Sequence, residues 1–154
     1  GNTELSLDKA VDVIRYFAAS SQVTNLYNVK LMKLMWYADA LAYKKRGTAI
    51  TGLVYQALPK GAVPNGHNSI IDLKDVPCEE VDMGETNAYH FSLNGEQSFP
   101  ALSEEEKSIL DSVIEKLGRM SKTEIINFMH KEKAYISTAP RDVIQFQYAE
   151  SLQI

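Results

Sequence analysis

The chain has 154 residues, of which 45% are hydrophobic and 23% charged, and these proportions predict one domain over residues 1–154. We interpret the initial Gly1 as a cloning remnant or as the start of a domain excised from a longer protein. A formal net charge of -4 lacks the basic excess of broad nucleic-acid binding, and the single cysteine, Cys78, excludes an internal disulfide and favours a reducing, cytoplasmic setting. The sequence contains no run of about 18 apolar residues and no signal-peptide pattern, so we expect no membrane span.

Two helices are predicted for the first third of the chain. The first begins at Ser6 or Asp8 and runs to about Ser20, with apolar residues recurring on one face. The second covers approximately residues 29–46, and Gly47 supplies the left-handed residue that ends it.

The second helix is apolar on most of its sides. Two neighbouring apolar stripes leave a narrow arc for water, and we expect that arc to carry Lys30, Lys33, Tyr37 and Lys44. A helix of this composition belongs in the middle of its domain, so we predict that it is the core helix.

Short extended segments follow the core helix. Residues 51–58 predict a strand, and Pro64 can open a short helix towards Leu73. Residues 78–99 contain three short segments, separated by turns rich in glycine and asparagine, that predict hairpin strands.

Two capping boxes predict two further helices. Ser103 with Glu106 opens the first, and Ser121 with Glu124 opens the second. The tail after Pro140 holds a strand-like piece and a short final helix. The predicted fold class is therefore α+β: a predominantly helical single domain around a central buried helix, with a small antiparallel sheet or hairpins.

Sequence motifs for catalysis and metal binding are missing. The three histidines and Cys78 lack the spacing of a zinc site, and there is no GxSxG, GxGxxG or phosphate-binding loop. We therefore expect no metal, no cofactor and no catalytic residue.

Asp39 is the one carboxylate within the apolar arc of the core helix. An unpartnered carboxylate out of water costs several kcal/mol, so its expected partners are Arg46, His130 or the backbone N–H groups around Gly61. The favoured interpretation is a buried polar staple that orients the following strand and turn. The alternative is a general base that converges with His130 on a cleft.

Two stretches carry linked motifs. Residues 33–64, KLMWYADALAYKKRGTAITGLVYQALPKGAVP, contain a Lys-Leu-x-aromatic-Tyr-Ala-Asp helix, an Ile-Thr-Gly step and a Pro-x-Gly-x-Val-Pro run. Residues 102–135 contain a long helix, a Ser-capped helix and a His-x-Glu-x-x-aromatic motif at His130, Glu132 and Tyr135.

In combination these motifs resemble the Panacea domain, the SocA-like antitoxin family also known as phage-associated protein, from about Leu7 to Leu152. Tyr135 stands where tryptophan is usual in the family, and Ala62 stands where proline is more frequent.

The resemblance implies a non-catalytic antitoxin that neutralises a cognate toxin protein by direct binding. Some relatives resemble adaptors that deliver the toxin to a protease, so a protease or chaperone is a second expected partner. The alternatives are an uncharacterised enzyme that uses Asp39 and His130, and a phage or mobile-element regulator that acts on DNA through a separate domain. The family has no established catalytic residues. The residues expected to bind the partner or to carry the family signature are Trp36, Tyr37, Asp39, Tyr43, Lys60, Pro64, His130, Glu132 and Tyr135.

Overall fold

Helices surround one buried central helix, and two antiparallel hairpins lie beside them. The computed structural model describes residues 3–84 and 87–154, and it confirms the predicted α+β class. The helices are α1 (Leu7–Ala19), α2 (Asn28–Arg46), α3 (His67–Ile71), α4 (Glu104–Leu117), α5 (Lys122–His130) and α6 (Lys133–Ile136); the strands are β1 (Tyr55–Leu58), β2 (Gly61–Pro64), β3 (Cys78–Asp82) and β4 (Asn87–Phe91); a 3₁₀ helix covers Phe146–Ser151.

The first two helices form where capping and periodicity predict them. Ser6 caps α1, because its hydroxyl oxygen accepts a hydrogen bond from the backbone N–H of Lys9. Gly47 follows α2 with φ of +78°, and its N–H donates to the carbonyl of Tyr43, which closes the last turn. Both predicted boundaries are confirmed to within one or two residues.

The predicted water-facing arc of α2 is wrong for three of its four residues. Lys30 and Lys33 are each only 1% exposed and Tyr37 is fully buried, whereas Lys44 is exposed. The reason is that α2 packs against α1, α4, α5, β2 and the 3₁₀ helix, so almost every side of it meets another element. The core helix was predicted correctly, but its burial is more complete than its sequence indicates.

The first hairpin pairs β1 with β2, with Tyr55 opposite Pro64 and Leu58 opposite Gly61. The predicted strand over residues 51–58 is shorter than expected, because Gly52 takes a left-handed φ of +77° and the regular ladder begins only at Tyr55. Pro64 ends β2, and the short helix that follows begins at His67.

The second hairpin pairs β3 with β4, with Cys78 opposite Phe91. Two of the predicted strand segments are confirmed, and part of the predicted turn, residues 85–86, lies outside the described residues. The third segment, residues 97–100, is not a strand. It packs on α1 instead, where the guanidinium of Arg15 donates to the carbonyl of Ser98 at 3.0 Å.

Both capping boxes are present. The hydroxyl oxygen of Ser103 accepts from the N–H of Glu106 at 3.1 Å, and the Glu106 carboxylate accepts from the N–H of Ser103 at 2.9 Å. Ser121 and Glu124 repeat the arrangement at 3.1 and 3.0 Å. These reciprocal bonds satisfy donors that helix formation leaves open, which explains why α4 and α5 begin at the predicted positions.

The tail returns to the first hairpin and then to α2. Val143 bridges Gln56 of β1 in antiparallel fashion, and the N–H of Ile144 donates to the carbonyl of Tyr55 at 2.8 Å. The 3₁₀ helix then packs along α2 and α6. Within the part of the chain that the structure describes, none of the helices has the length and apolar character needed to cross a membrane.

Candidate functional site

Asp39 is fully buried and accepts four hydrogen bonds from the segment that follows α2. One carboxylate oxygen, Oδ1, accepts from the backbone N–H groups of Ile50 and Thr51, both at 2.9 Å. The other, Oδ2, accepts from the hydroxyl of Thr51 at 2.5 Å and from that of Tyr55 at 2.7 Å. Asp39 therefore fastens α2 to the residues that lead into β1.

The surroundings of Asp39 contain hydrogen-bond donors rather than a cation. Burial raises the pKa of the carboxyl group, and the hydrogen bonds from Thr51, Tyr55 and Ile50 oppose that rise. Burial and the neighbouring carboxyl also raise the pKa of Tyr55 well above its ordinary value. All four donors belong to residues 50–55, so Asp39 holds this segment against α2, which agrees with the staple interpretation.

The partners predicted for Asp39 are wrong. Arg46 instead contacts Glu106 at 2.9 Å and Glu105 at 3.1 Å, and His130 contacts the carbonyl of Pro59. The backbone that reaches Asp39 belongs to residues 50–51, not to the region around Gly61. The structure thus does not bring Asp39 and His130 together as the enzyme hypothesis requires.

His130 and Tyr135 hold the turn of the first hairpin. The Nε2 atom of His130 lies 3.0 Å from the carbonyl oxygen of Pro59, and because a carbonyl can only accept, Nε2 is the protonated donor. The hydroxyl of Tyr135 donates to the carbonyl of Leu58. The two rings stack with centroids 4.8 Å apart, so they support each other in front of the turn.

Glu132 and Tyr37 join α6 to the core helix. The Tyr37 hydroxyl donates to the Glu132 carboxylate at 2.7 Å, and both side chains are buried. The backbone N–H of Gln153 also reaches this carboxylate at 3.3 Å, which ties in the end of the chain. Burial and the adjacent carboxylate raise the pKa of the Tyr37 hydroxyl, so it remains a hydrogen-bond donor.

The tip of the first hairpin carries Lys60, which is exposed, and Gly61, whose φ is +116°. A Cβ atom at Gly61 would lie 2.7 Å from both Lys33 Cε and Met129 Sδ, so only glycine fits there. The N–H of Ala62 donates to Met129 Sδ at 3.0 Å. Contacts from α2 and α5 thus fix this side of the turn.

An apolar groove of about 420 Å³ lies beside the same turn. The side chain of Ile136, next in sequence to Tyr135, is 68% exposed. We call the surface formed by Pro59, Lys60, His130, Tyr135 and Ile136 the hairpin face. The residues that line its groove are Ala57, Leu58, Pro59, Tyr135, Thr138, Pro140 and Arg141.

Trp36, Tyr43 and Pro64 lie away from the hairpin face or within the core. Trp36 is 2% exposed and packs edge-on against Tyr37, and its Nε1–H has no acceptor among the residues that the structure describes. Tyr43 is half-buried and stacks on Phe146 with centroids 5.6 Å apart, beside a second groove of about 480 Å³. Pro64 is buried at the end of β2.

One buried ionic cluster was missed by the sequence analysis. Glu106 is 1% exposed and accepts from Lys9 at 2.8 Å and from Arg46 at 2.9 Å. Burial opposes its ionisation, but these cations and the N–H of Ser103 together lower the pKa of Glu106. Its position in the capping box predicted only the bond to Ser103, since nothing in the local sequence indicates the long-range partners.

The histidines and the cysteine do not form a metal-binding group. Among residues 3–84 and 87–154, no three His, Cys, Asp or Glu side chains form a group that could hold a metal ion. Burial raises the pKa of the Cys78 thiol, and nearby Asp72 and Glu80 raise it further, which disfavours the reactive thiolate.

A comparison with known proteins matches the segment that contains Asp39, the first hairpin, His130 and Tyr135. Residues 31–135 match the family model described as antitoxin SocA-like, Panacea domain. Neither the curated proteins nor the solved structures gave a match. The matched segment contains most of α2, the first hairpin, α4, α5 and the motif that ends at Tyr135, and it covers more than half of the chain. The protein therefore belongs to the SocA-like antitoxin family and carries its Panacea domain.

Proposed function

We propose that this protein is a non-catalytic antitoxin that neutralises a protein toxin in the cytoplasm by direct binding, and that the hairpin face is its toxin-binding surface. The observation that carries the proposal is the convergence of separate family-motif positions on one turn. His130 and Tyr135 bond to the carbonyls of Pro59 and Leu58.

The bonds to the turn are of a kind that positions backbone rather than performs chemistry. His130 of α5 and Tyr135 of α6 each use a polar side-chain atom to bind a main-chain carbonyl. Glu132, just before α6, binds Tyr37 of the core helix. The turn is therefore held before any partner arrives. A preorganised surface binds more tightly because less conformational entropy is lost on association.

The composition of the hairpin face suits a protein partner. Its groove is largely apolar, and Ile136 and Tyr135 provide the aliphatic and aromatic area that anchors interfaces. Lys60 supplies a charge at the tip, and Arg141 supplies another at the edge of the groove. Apolar area surrounded by polar groups is the usual anatomy of a binding patch.

The state of Asp39 supports a non-catalytic function. A general base must be able to reach a proton on a bound substrate. Asp39 is fully buried, and its two oxygens already accept four hydrogen bonds from the protein. The residue most suggestive of catalysis in the sequence is therefore committed to the scaffold.

Co-expression with the protein encoded beside it tests the proposal. We expect the wild-type chain to bind that protein and to rescue growth, and Lys60→Glu and Ile136→Asp each to weaken binding by about tenfold or more, as losses at interface anchors do. Lys74→Glu and Met83→Asp are matched controls: the first makes the same charge reversal, and the second also replaces an exposed apolar side chain by aspartate, both outside the hairpin face. We expect the controls to bind normally.

Three outcomes have distinct meanings. If the wild-type chain neither binds nor rescues growth, the antitoxin function is wrong. If the controls weaken binding as much as the two test variants, the hairpin face is not the toxin-binding surface. Direct neutralisation leaves the toxin abundant in rescued cells, whereas delivery to a protease would shorten its half-life in a protease-dependent way.

A further inference from the structure

Two lysines of α2 are equally buried but differ in their partners. Lys30 and Lys33 are each 1% exposed. The ammonium of Lys30 donates to the carbonyls of Thr24 and Gly118 at 2.5 and 2.6 Å. These bonds join α2 to the residues at the end of α4, so Lys30 has an evident structural role.

Lys33 has no comparable partner. Among residues 3–84 and 87–154, no hydrogen-bond acceptor or carboxylate contacts its ammonium group, although its side chain is just as buried. The charged groups that act on it, Lys60 and Lys122, are both positive. Burial, followed by these two cations, lowers the pKa of Lys33 to about 8. A charge that is largely buried and has no protein partner costs free energy, so Lys33 does not contribute to stability in the way that Lys30 does.

The ammonium of Lys33 lies at the hairpin tip. A Cβ atom built on Gly61 would be 3.2 Å from its Nζ, which places the charge against the main chain next to the exposed Lys60. Gly61 has no side chain to cover it. The positive charge therefore lies against the turn that carries Pro59 and Lys60 of the hairpin face.

We propose that Lys33, with Lys60 and Lys122, forms a recognition subsite for a carboxylate of the partner protein, an Asp or Glu side chain or a C-terminal carboxylate. The proposal rests on the proposed function, in which a protein partner contacts this face. An ammonium that is already largely out of water gives up little further hydration on pairing. The partner in the proposed function is a protein, and the anionic side chains and C-terminus of a protein are carboxylates.

The first test compares the two lysines in stability and binding. Lys30→Met should lower the midpoint of urea unfolding, because it leaves the carbonyls of Thr24 and Gly118 without their donor. Lys33→Met should leave the midpoint unchanged or raise it, yet weaken binding of the adjacent-gene product by about tenfold or more, as removal of one member of a buried charge pair does. Equal destabilisation by the two substitutions would overturn the proposal.

The second test needs no toxin. In NMR spectra of lysine-labelled protein, we expect a blocked peptide with a central glutamate, or with a free C-terminal carboxylate, to shift the Lys33 side-chain resonances and leave those of Lys30 in place. The matched glutamine peptide with a blocked C-terminus should cause no shift. The shift should be absent from Lys33→Met, and the response of the two acidic peptides distinguishes a side chain from a C-terminus.

Together, the binding and NMR results show whether the Lys33 subsite or the antitoxin function is wrong. A Lys33 response without toxin binding upholds the subsite and contradicts the antitoxin function. Toxin binding that survives Lys33→Met, with no response to either acidic peptide, overturns the subsite and leaves the function standing. A response to inorganic phosphate alone would also overturn the carboxylate proposal.

Discussion

Replacing Asp39 by alanine removes the acceptor of four buried hydrogen bonds. The hydroxyls of Thr51 and Tyr55 can turn towards other acceptors, but the N–H groups of Ile50 and Thr51 are fixed by the backbone. Each buried donor left without a partner costs about 1–3 kcal/mol, or about 2–6 kcal/mol for the two amides. Removal of the buried carboxylate also relieves its own desolvation, so we expect a net loss of about 2–4 kcal/mol.

Urea unfolding at neutral pH measures this loss as a shift in midpoint at constant m-value. A domain of ordinary stability, about 5–15 kcal/mol, tolerates the change but with a much lower midpoint. Asp39→Asn provides a milder comparison, because its amide oxygen can still accept from Ile50 and Thr51. We expect it to cost less than alanine, since only the hydroxyls must then rearrange around the new NH₂ group.

Tyr55→Phe keeps the prediction testable if Asp39→Ala fails to fold. It removes one donor and leaves Asp39 three others, so we expect a cost of about 1–2 kcal/mol. Where the alanine variant folds, Tyr55→Phe should cost close to nothing in that background, because the phenol has already lost its acceptor. A midpoint for Asp39→Ala equal to that of the wild type, or additive costs in the double variant, would refute the staple.

Two further predictions concern other packed contacts. Gly61→Ala should destabilise the protein by at least about 1–3 kcal/mol in thermal unfolding, because its Cβ would meet Met129 Sδ at 2.7 Å with φ at +116°, and a melting temperature equal to that of the wild type would contradict the packing there. Glu106→Gln keeps the capping box but removes the charge that faces Lys9 and Arg46, so at pH 7 we expect it to cost about 1–3 kcal/mol. Because the folded protein lowers the pKa of Glu106 below 4.5, this contribution is present above that pH and is lost as the pH falls through the lowered value. Chemical unfolding of the wild type and of Glu106→Gln, from neutral to acidic pH, should therefore show the difference in their free energies of unfolding disappear. A difference that does not change with pH would contradict the ion-pair role.

The elements that local sequence determines were predictable. The Ser103 and Ser121 capping boxes mark helix starts because the bonds that make them join residues three apart. Gly47 marks the end of α2 for the same kind of reason, since left-handed backbone strongly favours glycine. The unbroken apolar character of α2 also identified the centre of the domain.

The contacts that depend on chain topology were not predictable. Asp39 was expected to need a partner, but the choice of residues 50–55 depends on how the chain turns at Gly52. Lys30 and Lys33 resembled a solvent-facing arc because a helical wheel records spacing and not neighbours. The segment at residues 97–100 had strand-like composition, yet it pairs with none of the strands that the structure describes, and Arg15 binds it instead.

The polar side chains of the core helix differ in whether they find hydrogen-bond partners within the fold. Asp39, Lys30 and Tyr37 each reach a different segment and form hydrogen bonds with it. Such bonds stabilise one packing, and a partner would have to break them before it could use those groups. Lys33 carries the same desolvation cost without the compensating bond, and it lies where the family motifs hold a turn at the surface. On the proposal that Lys33 pairs with a carboxylate of the partner, its charge, unlike the uncharged Nε1–H of the buried Trp36, contributes its pairing energy to binding rather than to folding.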